Sequence, residues 1–483
     1  MSLKQKTVSG LLWSGIDQFA NLGIQFIVGI ILARILTPYE FGLIGMLMIF
    51  VAVSQSIVNS GFSQALIRKN DCTDTDYSTV FYFNLGIGIL FYFILFFTSG
   101  LISNFFDEPQ LSNIIKVFSI VIVVESFTII QRTILTQRVD FKLQAKVSVI
   151  ASIGSGIIAI VMAYNDFGVW SLVALHVGKK TLNSLFLWLW NRWKPTLVFS
   201  IASFKELFGF GSKLLVSGLI DTLYRNIYLL VIGKYFSAQT LGYYTRADEF
   251  KRIPSQNLTG IISRVSYPVL ASIQDDKSRL KSNYQKLIRS IMFITFILML
   301  GMAAVAEPMI ITLIGEKWRP SIIYLQMLSF VGMMYPLHGL NLNMLQISGR
   351  SDLFLKLEII KKLLAVPTIV LGVFYGIKIM IAGMMVNTLI AYYLNSYWSG
   401  RYIGYTVKEQ IRDIFPSFGL ALGMGVGVYL LGQILPFKPL WLLTTQVLTG
   451  AAFIFLFCEL TKFRDYIFVK ELIVEKIREI RKK

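Results

Sequence analysis

The ionisable residues between positions 213 and 264 are the side chains of this sequence best suited to binding a charged ligand. Two adjacent, largely apolar segments carry six basic and three acidic residues, namely Lys213, Arg225, Arg246, Lys251, Arg252 and Arg264 with Asp221, Asp248 and Glu249. In helices, the i,i+4 spacing predicts ion pairs between Asp221 and Arg225 and between Asp248 and Arg252. Three cations still lack a local acid, so an anionic ligand is the partner that this cluster favours.

Arginine suits phosphate in particular, because its planar guanidinium donates two parallel hydrogen bonds to phosphate oxygens. We therefore predict that an anionic headgroup binds to a site formed by Arg225, Arg246, Lys251 and Arg252. The alternative is structural. In that case Lys213 and Arg264 extend to the membrane surface, and the other basic residues pair with acids on neighbouring helices.

A second group of polar residues is predicted to line a wet cavity or to couple transport to an ion. Asp17, Asn21 and Gln25 recur every four residues and so share one helix face. The expected cavity-lining residues are Asn21, Gln25, Gln55, Asn59, Gln256 and Asn257. The expected ion-coupling residues are Asp17, Glu125, Asp221 and Asp248. An acid inside a bilayer is costly, so each of these four either serves such a role or neutralises a basic residue on a facing helix.

The elements that must position these residues are membrane-spanning helices. The 483 residues are 55% hydrophobic and 15% charged, with a mean hydropathy of +0.64, whereas soluble domains carry roughly 25% charged residues. Apolar runs of the length needed to cross a ~30 Å hydrocarbon layer recur along the chain. This composition excludes a soluble enzyme and a disordered scaffold. The first run, residues 8–36, is too long for the apolar region of a cleavable signal and is expected to remain as a helix.

About fourteen spans are predicted, with the N- and C-termini on the cytoplasmic side. They lie at residues 8–36, 39–65, 77–100, 111–132, 146–164, 167–190, 207–234, 238–270, 287–306, 320–347, 356–375, 379–399, 415–435 and 440–460. The polar segment 238–270 is included because, without it, most later basic residues would face outward, against the positive-inside bias. That bias also accounts for the net charge of +19 without a nucleic-acid partner. Pro254 is expected to kink this helix.

The chain contains a weak internal repeat. At an offset of 200 residues, Arg34 matches Lys234, Thr37 matches Ser237 and Gly42 matches Gly242, while Phe167-Gly168 matches Tyr375-Gly376 at an offset of 208. An even number of helices in each copy predicts two six-helix lobes of equal orientation, with the transport path between them. The expected domains are residues 1–200 and 201–405 for the lobes, 406–460 for two additional helices, and 461–483 for a basic amphipathic tail on the inner leaflet.

Several segments together resemble a known family. They are SGLLWSGIDQF (9–19), RILTPYEFGLIG (34–45), GFSQALIRK (61–69), QRVDFK (137–142), YFSAQTLGYYTRA (235–247), IPSQNLTGIISRVSYPVLASIQDD (253–276), GEKWRPS (315–321) and QISGRSDL (346–353). The chain resembles the Wzx-type polysaccharide flippases and exporters of the multidrug/oligosaccharidyl-lipid/polysaccharide (MOP) superfamily, in particular the branch of colanic-acid exporters. The match extends from about residue 5 to about residue 400.

This resemblance implies an all-α, two-lobed bundle that alternates between inward-open and outward-open states. It further implies a bacterial cytoplasmic-membrane protein that moves undecaprenyl-diphosphate-linked oligosaccharide repeat units to the outer leaflet, for assembly of O-antigen, capsule or exopolysaccharide. Relatives have a cationic central cavity, and the basic residues around Arg225 and Arg246 fit that expectation. A polysaccharide polymerase or glycosyltransferases are expected as further partners. No cofactor, metal or nucleic acid is expected.

Two other functions remain open from the sequence. A multidrug or cation antiporter of the same superfamily would use an acidic, aromatic-lined cavity, and the local excess of basic residues argues against it. A membrane-embedded polymerase or glycosyltransferase would require catalytic motifs. The inner loops contain no HExxH motif and no glycine-rich phosphate loop. Asp74-Thr75-Asp76 is the one D-x-D triplet, and it is predicted to begin a helix after a solvated turn.

Overall fold

The computed structural model describes residues 3–59, 61–69 and 71–481. Within these ranges, the side chains of residues 3–8, 11, 213, 257, 258, 261–265, 351, 472, 473, 476, 477 and 479–481 lie outside the description. The described chain is almost entirely helical and contains no β-strand. It divides into two compact units, Met1–Thr245 and Arg246–Lys483. The lobe boundaries at residues 200 and 405 stay a prediction.

The first unit contains nine helices and the start of a tenth among its described residues. These are α1 (Leu3–Ile35), α2 (Pro38–Asn59), α3 (Phe62–Arg68), α4 (Asp74–Phe106), α5 (Gln110–Phe118), α6 (Ile120–Gln137), α7 (Phe141–Tyr164), α8 (Val169–Asn191), α9 (Ile201–Tyr235) and α10 (Ala238–Arg252). Helix α7 packs between α1 and α8, α2 packs along α9, and α6 packs against α4 and α8. The core between α3, α4, α6 and α9 is formed by Phe62, Leu66, Phe81, Ile130 and Leu207.

The second unit begins within α10 and continues to the tail. A π-helical turn (Ile253–Asn257) joins α10 to α11 (Leu258–Ala271). The remaining helices are α12 (Lys277–Ala304), α13 (Ala306–Ile314), α14 (Ser321–Met333), α15 (Tyr335–Ile347), α16 (Ser351–Tyr375), α17 (Ile377–Ile403), α18 (Val407–Ile434), α19 (Pro439–Thr461) and α20 (Arg464–Arg481), with a short 3-10 turn at Glu316–Trp318. Helix α12 packs along α18, α16 along α17, and α18 along α19.

Ten helical segments among the described residues are long and apolar enough to cross a membrane. They are Leu12–Ile35, Pro38–Arg68, Asp74–Phe106, Gln110–Gln137, Phe141–Tyr164, Leu214–Tyr235, Lys277–Ala304, Ile377–Ile403, Val407–Ile434 and Pro439–Leu460. The other four expected spans correspond to α8, the run from α10 to α11, the pair α14–α15, and α16. Each of them is helical, but it carries interior charges or a break. The count of fourteen therefore stays a prediction, while the multi-pass helical class is confirmed.

The polar segment at 238–270 forms a nearly continuous helical run, from Ala238 to Ala271. Pro254 lies within the π-helical turn that interrupts it. Proline has no N–H to donate and clashes with the preceding turn, so a local change of helix type is its expected effect. The helix type therefore changes at Pro254, while the kink expected there stays a prediction.

The outer surfaces of the helices are apolar, as lipid contact requires. On α4, for example, Leu90, Phe93, Phe97 and Leu101 are all exposed and recur at helical spacing. In water such a stripe would be a severe aggregation hazard, whereas in a bilayer it is the surface that faces the acyl chains. Polar side chains of these helices therefore avoid lipid by lying at the interfaces between helices.

Two glycines allow an unusually close helix crossing at the start of α2 and α10. A Cβ atom added at Gly42 would lie 1.7 Å from the carbonyl oxygen of Ala238, and one added at Gly242 would lie 1.8 Å from the carbonyl oxygen of Pro38. The contact is thus nearly symmetric, and it involves two positions that match at an offset of 200 residues in the sequence. Only glycine permits this backbone approach.

The D-x-D triplet is a helix start. Thr73 is the N-cap of α4, and it forms a capping box with Asp76, whose side chain accepts a hydrogen bond from the Thr73 N–H (2.9 Å). Asp76 is buried and also binds Lys69 at 3.1 Å. Because the Asp76 carboxylate is already engaged by the cap and the lysine, it stabilises this helix end.

Candidate functional site

A polar cavity lies between α2 and α9 in the first unit, and it contains Arg225. Its volume is about 430 Å³. Its polar lining residues come from both helices and from α3, and they are Gln55, Ser56, Asn59, Gln64, Thr222, Arg225 and Asn226. Three residues predicted separately from the sequence, Gln55, Asn59 and Arg225, are therefore brought together. The cavity has the size of a small-ligand site, for which ~300–1,000 Å³ is typical.

Arg225 is held at this cavity by an ion pair with Asp221. The distance between Arg225 Nε and Asp221 Oδ2 is 2.8 Å, which confirms the i,i+4 pair expected from the sequence. The Arg225 side chain is nevertheless 66% exposed and that of Asp221 45%. An exposed pair of this kind contributes at most ~1 kcal/mol. The guanidinium of Arg225 can therefore exchange its carboxylate for a stronger anion at little cost.

Two basic residues of α10, Arg246 and Lys251, form ion pairs with acids on the same helix. Arg246 Nη1 lies 3.1 Å from Glu249 Oε2, and Lys251 binds Asp248. Both pairs are spaced i,i+3. The predicted pair between Asp248 and Arg252 is therefore wrong: Asp248 binds Lys251, which lies on the same helix face one position earlier.

Burial separates these α10 residues into two kinds. The side chains of Arg246 and Lys251 are each only 11% exposed, and the stem of Lys251 packs against Gly332 of α14. Arg252 is exposed, and Gln256 is half-buried. The side chain of Asn257, like those of Lys213 and Arg264, lies outside the described residues. Arg252 is thus the readily accessible cation of this segment.

Asn21 of α1 faces α7 and also binds Asp17 one turn earlier on its own helix. The Asn21 amide donates to Asp17 Oδ1 (2.6 Å) and to Ser148 Oγ (2.7 Å), and Ser152 Oγ donates to Asn21 Oδ1. These bonds join α1 to α7 inside the first unit. Gln25, one turn further along the same helix face, is exposed. Of the three residues on the predicted face, Asn21 holds the helix interface together and Asp17 supports its side chain from the same helix.

Glu125 is buried and carries its own counter-ion. Lys180 Nζ of α8 lies 2.5 Å from Glu125 Oε2, and the glutamate side chain is 10% exposed. About two turns further along α6, Arg132 donates a hydrogen bond to Asn183 Oδ1 of α8 at 3.0 Å. The sequence reasoning did not single out Lys180 or Arg132. The available signal was the pair Lys179-Lys180 in the middle of a predicted span, since lysines there require a partner.

The profile of a family described as "polysaccharide biosynthesis protein" matches residues 31–323. This chain belongs to that family.

The family member described here is similar to the lipopolysaccharide biosynthesis protein WzxC of Escherichia coli (strain K12). The two are 27% identical over 446 residues, covering 90% of this chain and 89% of WzxC. Among solved structures, the lipid II flippase MurJ in an inward closed conformation superposes with a TM-score of 0.77 at 17% identity, covering 95% of this chain and all of MurJ. An inward-facing multidrug MATE transporter of the MOP superfamily superposes with a TM-score of 0.64 at 15% identity, covering 82% of this chain and 98% of the transporter. The fold of this family member is therefore similar to the folds of MurJ and of the MATE transporter.

Proposed function

We propose that this polysaccharide biosynthesis protein is a flippase, which moves undecaprenyl-diphosphate-linked oligosaccharide repeat units from the inner to the outer leaflet of the cytoplasmic membrane. The observation that carries the proposal is the cavity between α2 and α9. In this cavity, Arg225, which forms an exposed ion pair with Asp221, lies among six uncharged side chains that carry amide or hydroxyl groups. A diphosphate needs a cation, and a sugar needs many uncharged hydrogen-bonding partners. The similarity to WzxC over most of both chains and the MurJ-like fold support the same function.

Recognition of the cargo begins with an exchange at Arg225. The diphosphate displaces Asp221 from the guanidinium and forms stronger, bidentate hydrogen bonds. Gln55, Asn59 and Asn226 then bind sugar hydroxyl groups. Arg246, Lys251 and Arg252 of α10 stay predicted ligands of an anionic headgroup, and Arg252 is the exposed one of the three. The polyprenyl chain stays in lipid.

Movement of the headgroup follows alternating access of the two predicted lobes, with both termini in the cytoplasm. Asp17, Glu125, Asp221 and Asp248 are the candidate sites for coupling to a proton, to Na⁺ or to the membrane potential. Of these, Asp221 is the acid that cargo binding releases from Arg225, so a coupling ion that takes the place of the guanidinium there would link the two events. Glu125 already binds Lys180, and a second cation would have to compete with it.

The test is an Arg225→Ala exchange in the native host, measured by surface polysaccharide and by the undecaprenyl-diphosphate-linked sugars. A deletion should accumulate the complete repeat unit on the cytoplasmic side and abolish the surface polymer. Arg225→Ala should resemble the deletion, and Arg225→Lys should be intermediate because a lysine cannot form the bidentate contact.

The matched control is Arg138→Ala, which removes an exposed arginine of the same unit outside the cavity. It should leave polymer and lipid-linked pools unchanged. Wild-type polymer in Arg225→Ala cells with normal protein levels would refute the phosphate site. Unchanged lipid-linked pools in the deletion strain, together with altered tolerance to cationic dyes, would refute the flippase and favour a multidrug antiporter.

A further inference from the structure

A second polar cavity lies in the second unit, where the tail helix α20 meets α12 and α18. Its volume is about 440 Å³. Four basic side chains from these three helices line it, together with two apolar residues of the tail: Lys286, Arg289, Arg412, Arg464, Ile467 and Phe468. The cargo site proposed above does not use this cavity.

One buried carboxylate, that of Asp465, holds the tail helix α20 against α12 and α18. Asp465 is 4% exposed, and its Oδ1 atom lies 2.7 Å from Arg289 Nη2 and 2.8 Å from Arg289 Nε. The hydroxyl of Ser417 donates to Asp465 Oδ2 at 2.7 Å. Phe463 and Tyr466 add ring contacts with Phe293 of α12. The first turn of α20 therefore packs against α12 and α18, and it forms one side of the cavity.

Once Arg289 and Asp465 have neutralised each other, three cations remain around the cavity. In the described part of the chain, Lys286, Arg412 and Arg464 form no ion pair. Two acids also line the space. Asp413 accepts a hydrogen bond from the hydroxyl of Tyr405 at 2.9 Å, and Glu471 is exposed on the tail.

Lys286, Arg412 and Arg464 come from three different helices, and with Asp413 and Glu471 on the same lining the cavity keeps an excess of one positive charge, which a bound anion would neutralise. Guanidinium and ammonium groups that converge in this way are typical of phosphate recognition. The adjacent Ile467 and Phe468 provide an apolar surface, which the acyl carbons nearest to a lipid headgroup could contact. The lining therefore matches an anionic group attached to an apolar chain better than it matches a free ion.

The cavity lies at the level where membrane spans begin. Lys281 of α12 binds Glu409 of α18 at 3.1 Å, so the starts of these two helices lie side by side. Helix α19 returns to the same end of the unit, because it follows α18 through a short connection and ends at Thr461, three residues before Arg464. Lipid headgroups occupy this level, and basic pockets between helices on the cytoplasmic side are suited to anionic headgroups.

We propose that this cavity binds the phosphate headgroup of an anionic phospholipid, in the leaflet that the tail faces. The leaflet is the inner one if the orientation proposed above holds; binding itself does not depend on transport. Lys286, Arg412 and Arg464 hold the phosphate, and Ile467 and Phe468 contact the glycerol and the first acyl carbons. The bound lipid thereby links the tail to α12 and α18.

The test is lipid retention by the purified full-length protein, measured by native mass spectrometry in detergent during titration with dioleoylphosphatidylglycerol. Dioleoylphosphatidylcholine, which has the same phosphate but no net charge, is titrated in parallel. The wild type should retain phosphatidylglycerol preferentially. Removing two charge-assisted contacts in the Arg412→Ala/Arg464→Ala variant should weaken that binding by at least about tenfold. Arg412→Lys/Arg464→Lys should recover part of it.

The matched control is Arg279→Ala/Lys408→Ala, which removes two exposed basic residues from the same end of α12 and α18 outside the cavity. It should bind phosphatidylglycerol as the wild type does. Equal binding by the cavity variant and the wild type would overturn the site, as would equal retention of phosphatidylcholine by the wild type. Competition by millimolar inorganic phosphate would assign the cavity to free phosphate and overturn the lipid. None of these results depends on flippase activity, so a failure here leaves the proposed cargo untouched.

Discussion

Replacement of Gly42 by alanine should destabilise the first unit, because it adds an atom where two helix backbones touch. The new Cβ would lie 1.7 Å from the carbonyl oxygen of Ala238 and 2.4 Å from its carbonyl carbon, whereas real Cβ contacts essentially never fall below 3.0 Å. The obstructing group is backbone, so no side-chain rotation relieves it. The starts of α2 and α10 must therefore separate by at least 1.3 Å, the difference between 3.0 and 1.7 Å.

The expected cost follows from known core substitutions. Overpacking costs about 1–3 kcal/mol, and the higher helix propensity of alanine returns roughly 0.5–1 kcal/mol of it. Gly42→Ala should thus lower the apparent melting temperature of the detergent-purified protein in a size-exclusion thermostability assay. Gly242→Ala should do the same, because its Cβ would lie 1.8 Å from the carbonyl oxygen of Pro38. The double variant should lose less than the sum, since the first alanine already separates the helices.

Gly100→Ala is the matched control. Gly100 is a helical glycine of α4, and nothing lies within 4 Å of a Cβ added there. Its replacement should be neutral or slightly stabilising, by the propensity difference alone. A Gly42→Ala protein as stable as Gly100→Ala would refute the close crossing and the reasoning built on it.

Three further changes test separate contacts. Lys180→Met should destabilise the protein by about 3 kcal/mol, because it leaves the buried Glu125 carboxylate without its counter-ion; adding Glu125→Gln should restore most of the thermostability, and a single variant that melts like the wild type would contradict the pair. Thr406→Ala should cost about 1 kcal/mol by removing the capping box at the start of α18, whereas Thr406→Ser should melt like the wild type. Asp465→Asn should weaken the attachment of α20 to Arg289, so that limited trypsin treatment removes the tail faster than from the wild type; equal cleavage rates would show that the apolar contacts alone hold the tail.

The repeat illustrates how far sequence comparison within one chain can reach. The match of Gly42 with Gly242 predicts equivalent positions in two copies, and Phe167-Gly168 with Tyr375-Gly376 predicts another such pair. In the structure Gly168 and Gly376 both have positive φ, 54° and 102°, and each precedes a helix, α8 or α17. The sequence does not reveal that Gly42 and Gly242 lie against each other's helix. Equivalence is a property of the alignment, whereas contact depends on how the helices cross.

At the candidate site, spacing within one helix predicts some contacts, whereas others depend on how the helices pack. Spacing alone correctly predicted the Asp221–Arg225 pair, because both residues lie on one helix and their separation is fixed by its pitch. On α10 the same rule failed, since i,i+3 and i,i+4 partners are about equally near and Lys251 lies within reach of Asp248 as well. Gln55, Asn59 and Arg225 were named from separate segments, and only packing of α2 on α9 places them around one cavity.

By itself, the sequence determined that this is a multi-pass helical membrane protein of a polysaccharide biosynthesis family. Span length, apolar content and short motifs are local properties, and a helix of about 20 apolar residues satisfies its own backbone in lipid without help from distant residues. Only the tertiary structure decided which charge each ionisable residue meets. Glu125 binds a lysine 55 positions away and Arg289 an aspartate 176 positions away. Such partners depend on the packing and rotation of whole helices, for which a single sequence contains no local signal.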